Sequence, residues 1–117
     1  MIVIEGKSEK SKKLENLIRK DFRNDNIVII DTIGTKAFPH IDNVEHLILE
    51  SDFSPEQAIE VFRLYYDKNF SKYDWIIFYV NADPELVETF KNLDRAYSQN
   101  FIVTIQNNNG LTDTYFV

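Results

Sequence analysis

Gly6-Lys7-Ser8-Glu9-Lys10-Ser11-Lys12-Lys13 is the stretch whose residue types and spacing could do chemistry. A glycine, two hydroxyls and four lysines follow directly on the apolar run Ile2-Val3-Ile4. A strand that passes through such a loop into a helix puts backbone N–H groups and cations where a phosphate can be held. Laid on the phosphate-loop pattern G-x-x-x-x-G-K-[ST], Gly6 and Lys12 match, and Ser8 and Lys7 lie within the loop. Ser11 stands in place of the second glycine, and Lys13 in place of the hydroxyl that would hold Mg²⁺. A cation therefore sits where a metal would bind. Unless an anion or a nearby carboxylate such as Glu5 or Glu9 offsets them, these cations oppose the dipole of the helix that follows.

The rest of the chain must position that loop. Leu14, Leu17, Ile18 and Phe22 recur at helical spacing, which predicts a helix ending near Asn24 to Asn26. Ile27 to Ile30 is an unbroken β-branched run, read as a parallel central strand that Asp31, Thr32 and Gly34 then break. Leu47 to Leu49 is read as a brief strand or an apolar anchor. Ser54-Pro55-Glu56-Gln57 has the form of a capping box with Pro in the first turn, opening a helix to about Phe70 whose apolar face is Ile59, Phe62, Tyr65 and Tyr66. Trp75 to Val80 is the next central strand. Asp83 and Pro84 then mark another helix start, and Leu86, Phe90, Leu93 and Tyr97 form its buried stripe. Phe101 to Ile105 predicts a strand, Asn107 to Gly110 a turn, and Thr114 to Val117 a last short strand. Strands alternating with helices imply a three-layer α/β/α domain with a mainly parallel sheet of about five strands, spanning residues 1–117 as one unit.

In open parallel sheets ligands lie beyond the carboxyl ends of the strands. That rule selects Glu5 to Lys13, Asp31 to Gly34, Asn81 to Asp83 and Thr104 to Asn107. Taken together these stretches resemble the RecA-like branch of the P-loop NTPases. VIIDTIG (Val28 to Gly34) is similar to that family's second strand and turn, YDWIIFYVN (Tyr73 to Asn81) to its Walker B strand, and FIVTIQ (Phe101 to Gln106) to its strand ending in a polar sensor. The resemblance implies a P-loop NTPase-like fold and a nucleotide site at Gly6, Lys7, Ser8, Ser11, Lys12, Lys13, Asn81 and Gln106. It also implies the sheet order, with the first strand between the sensor strand and the last one and the Walker B strand beyond the sensor strand. Asn81 stands where the family's metal-holding Asp would be. With Lys13 it removes both positions linked to Mg²⁺, so the expectation is a decayed, non-catalytic binding or regulatory module with at most weak nucleotide or phosphate affinity.

The opening IVIEGKSEKSKKLENL also resembles a Toprim domain, the metal-binding module of topoisomerases and primases. That resemblance implies a metal site of Glu5 and Asp83, with Asn81 in place of one acid of the Asp-x-Asp pair, and a sheet that brings Glu5 and Asp83 close together. A third reading is an interaction subunit that binds a protein partner or a second copy through the Thr114 to Val117 strand or the acidic Asp42 to Glu60 face.

Composition bounds these readings. The 117 residues hold no Cys, so disulfides and thiolate chemistry are excluded. The net charge of −6 argues against broad nucleic-acid binding. With no long apolar run, neither secretion nor a membrane partner is expected, and the cytoplasm is the expected location. His40 and His46 lie beside Asp42 and Glu45 without the usual metal-ligand spacing, which predicts surface positions or local pairing.

Overall fold

The computed structural model describes residues 1–6, 10–34, 39–49, 53–66, 70–97, 99–106 and 113–117. Lys7, Ser8, Glu9 and the Asn107 to Gly110 turn lie outside the described residues. The elements follow one another as β1 (Ile2–Glu5), α1 (Lys10–Asp21), β2 (Ile27–Asp31), β3 (Val44–Ile48), α2 (Pro55–Tyr65), β4 (Trp75–Ala82), a 3₁₀ turn (Pro84–Leu86), α3 (Val87–Ala96), β5 (Asn100–Ile105) and β6 (Asp113–Phe116).

They build one six-stranded sheet of order β3-β2-β4-β5-β1-β6, in which only β6 runs antiparallel to its neighbour. The strand count of about five is thereby corrected to six. The added strand is β3, an edge strand whose exposed positions weaken the apolar signal of its sequence. β2 and β4, by contrast, are buried over nearly their whole length because both of their faces are covered.

The two faces have separate cores. On one side Ile2, Ile4, Ile27, Ile29, Ile77 and Ile102 of the strands pack with Leu14 and Ile18 of α1. On the other, Val28, Ile30, Phe78, Val80 and Val103 pack with Ala58, Ile59 and Phe62 of α2 and with Phe90 and Leu93 of α3. Phe62 stands edge-on to Phe78 at 5.8 Å and to Phe101 at 5.4 Å, so the aromatics of α2 serve packing.

Local signals hold where the backbone alone decides them. Ser54 caps α2 by accepting from Gln57 N at 3.2 Å, and Gln57 Oε1 accepts from Ser54 N at 2.7 Å, completing the capping box. Two positions differ from expectation. Tyr65 points outward at 49% exposure, and Ala58 takes its place in the buried stripe of α2. Asp83 does sit at the start of the 3₁₀ turn, but its side chain makes no capping hydrogen bond.

Candidate functional site

At the carboxyl end of the sheet, β4 is distorted. Phe78 lies opposite Val103 and Ala82 opposite Ile105, so Tyr79, Val80 and Asn81 stand across from Thr104 alone. This bulge would leave backbone groups of β4 unpaired in a buried place. The Thr104 hydroxyl fills the gap, accepting from Val80 N at 2.8 Å and donating to Val80 O at 2.7 Å. Past the bulge, Asn81 is turned to the side on which α1 lies.

Lys10, the first residue of α1, meets it there. Lys10 Nζ lies 3.3 Å from the carbonyl oxygen of Ile105 and 3.5 Å from Oδ1 of Asn81. The residue is only 7% exposed, and burial lowers its ammonium pKa from 10.5. The Ile105 carbonyl also accepts from Gly6 N at 3.1 Å. Both described flanks of the Lys7 to Glu9 stretch are thus tied to one oxygen at the end of β5. That oxygen uses both of its lone pairs.

The polar row continues along the strand ends. Ser11 shares a hydrogen bond with Tyr79, whose hydroxyl pKa is raised above 10.0, chiefly by burial and further by the nearby Asp31 carboxylate. Asp31 is fully buried at the end of β2. Its Oδ1 accepts from Ile33 N at 2.7 Å and Gly34 N at 3.0 Å, and its Oδ2 lies 2.7 Å from His46 Nε2. Gly34 makes this tight turn with φ of 70°, a left-handed conformation that glycine adopts without strain. Asp31, His46, Tyr79, Ser11, Lys10 and Asn81 therefore form a row of side chains satisfied from within the chain. Among the described residues no buried side-chain nitrogen or oxygen lacks a partner.

The expected site residues are placed as follows. Gly6 is buried, and Ser11 and Lys13 are half-buried. Lys12 is exposed and lines, with Lys13, Lys20 and Thr114, a groove of about 490 Å³ between α1 and β6. Gln106 is exposed, and its backbone N–H donates to Ala82 O at 2.8 Å. The lysine buried at the strand ends is thus Lys10, whereas Lys12 is exposed. The sequence carried a signal for this, since Lys10 lies four residues before Leu14 and eight before Ile18, on the buried stripe of α1. Asp31 and His46 were also missed as a pair, because fifteen residues and a strand boundary separate them in sequence.

Glu5 lies level with Ile105 of β5, which in turn lies level with Ala82, the residue before Asp83. β5 lies between β1 and β4, and Glu5 Oε2 accepts from Tyr115 Oη at 2.9 Å. His40 pairs locally, with Asp42 at 3.2 Å, whereas His46 pairs across fifteen residues with Asp31 of the neighbouring strand. No cluster of three or more His, Asp or Glu fit to hold a metal ion occurs among the described residues. No described helix is long and apolar enough to cross a membrane.

Comparison with protein-family models, with curated proteins and with solved structures found no match in any of the three.

Proposed function

We propose that this protein is a non-catalytic binding or regulatory module of P-loop NTPase-like fold whose nucleotide crevice is closed by its own Lys10. The observation that carries the reading is the buried Lys10 ammonium, 3.3 Å from Ile105 O and 3.5 Å from Asn81 Oδ1. A cation held there by two intrachain acceptors occupies the space beyond the strand ends that a bound anion would need.

The sheet order supports the fold part of the reading. β1 lies between β5 and β6, and β4 lies beyond β5, which is the arrangement the P-loop resemblance implies. The antiparallel β6 is a departure from it. Lys13 and Asn81 support the loss of catalysis, because phosphoryl transfer depends on a metal held against the phosphates and neither side chain is a suitable ligand. The separation of Glu5 from Asp83 by β5 weighs against the Toprim-like reading.

Isothermal titration with ATP, with and without Mg²⁺, tests the proposal. The expected result is no magnesium-dependent heat and no turnover. Tight magnesium-dependent binding with hydrolysis would overturn it.

A further inference from the structure

Both margins of the sheet are open. β3 and β6 are its terminal strands, and among the described residues no strand lies beyond either, which leaves each with a row of N–H and C=O groups on its outer side. Exposed apolar side chains mark both margins: Leu47 at 36% and Ile48 at 57% on β3, and Phe116 at 82% on β6.

The two margins are complementary in shape on one face. Phe116 lies opposite Ile2, whose side chain packs with α1, so Phe116 projects on the α1 side. His46 lies opposite Ile29 of the same core, which puts Val44, His46 and Ile48 on that side as well. There the β3 margin holds a cavity of about 450 Å³ walled by Pro39, Ile41 and Val44 together with His40, Glu45 and His46. An aromatic knob and a hollow of mixed apolar and polar wall thus stand at opposite ends of one face. Their charges are opposite too. Lys12, Lys13 and Lys20, against the single carboxylate of Asp21, flank β6 across the groove shared with Thr114, whereas Asp42 and Glu45, both exposed, flank β3.

We propose that a second copy of this chain adds its β6 to the free edge of β3, extending the sheet across the two molecules. Since β6 runs against its own sheet, continuing the sheet in the same sense makes it antiparallel to β3. The register that seats the knob pairs Ile48 with Thr114, Leu47 with Tyr115 and His46 with Phe116 of the second copy. Phe116 of the second copy then enters the hollow and Lys20 of that copy faces Asp42, while Asp113 falls beyond Ile48. The contact joins two different surfaces, so each molecule keeps one free β3 and one free β6, and association continues to a ring or an open filament. A two-fold β3 to β3 contact would instead bring Asp42 and Glu45 of both copies together and leave Phe116 in water. This inference does not depend on the reading of the nucleotide crevice.

The absence of cysteine makes a clean test available. Ile48→Cys and Thr114→Cys replace exposed residues and are oxidised separately, mixed, and as the doubly substituted chain. The expected result is no crosslink from either alone, a disulfide dimer from the mixture, and a ladder of multimers from the double variant. Light scattering over a dilution series should show mass above that of one chain at high concentration, falling as salt is raised. Phe116→Glu should weaken association by about tenfold or more, the loss expected when an aromatic anchor is replaced by a charge. A single-chain mass at every concentration, crosslinking of Ile48→Cys with itself, or unchanged association of Phe116→Glu would each overturn the proposal.

Discussion

Nζ of Lys10 lies 3.5 Å from Oδ1 of Asn81, a contact that joins the start of α1 to the end of β4 across 71 residues of sequence. The ammonium is held between two acceptors, yet burial disfavours its charged form. The folded pKa is below 10.5, so the unfolded chain binds more protons between those two values, and stability rises with pH through that window. Lys10→Met keeps the alkyl packing and removes the titration. Its stability relative to wild type should be highest near neutral pH and should fall as pH approaches 10.5, measured by urea unfolding across the alkaline range. A constant difference would mean that Lys10 is not desolvated.

Tyr115 gives the opposite slope. Its hydroxyl pKa is pushed up to about 12, first by burial and then by donation to Glu5. The stabilisation this represents is present below 10.0 and lost as pH rises through about 12. Tyr115→Phe should cost about 1 kcal/mol near neutral pH for the lost hydrogen bond. It should also lack the tyrosine-linked loss of stability above pH 10, which alkaline unfolding curves will show.

The Thr104 hydroxyl serves both the N–H and the C=O of Val80. Thr104→Val fills nearly the same volume and leaves both groups unpaired, at an expected cost of about 1–3 kcal/mol. Thr104→Ser keeps the hydroxyl and should cost only about 0.8 kcal/mol for the lost methyl. Amide exchange should show faster opening at Val80 in the valine variant alone. Equal protection in both would show that the hydroxyl does not hold the bulge.

Asp31 and His46 test whether the polar row is coupled. Asp31→Asn removes a charge that receives two backbone N–H groups and an imidazole, and should cost about 1.5–3 kcal/mol. His46→Gln, at a partly exposed position, should cost less. Because the two side chains touch, a double-mutant cycle should return a coupling of at least about 0.5 kcal/mol. Additivity would reduce the contact to simple proximity.

Much of this architecture is written in short stretches of the sequence. The β-branched run at Ile27 to Ile30 and the apolar run at Trp75 to Val80 can only be central strands, because both faces of the sheet must be covered. The capping box at Ser54 and Gln57 fixes where α2 begins, since those hydrogen bonds span three residues and need no other part of the fold. Tyr65 was harder. Its aromatic character fits a core, but α2 turns Ala58, Ile59 and Phe62 to the sheet and leaves Tyr65 outside, a matter of packing rather than of pattern.

The sequence by itself determined that strands alternate with helices and that the stretch following β1 is rich in lysine. The spacing of Lys10 from Leu14 and Ile18 already turns it inward, and only the tertiary structure decided what it meets there. Lys10 reaches Ile105 O across 95 residues, and that meeting depends on β5 lying beside β1. The antiparallel course of β6, the pairing of Asp31 with His46 and the places of β3 and β6 at the ends of the sheet have the same origin. Spacing records what one element buries, whereas these features depend on which elements become neighbours, and that is settled by the packing of the whole chain.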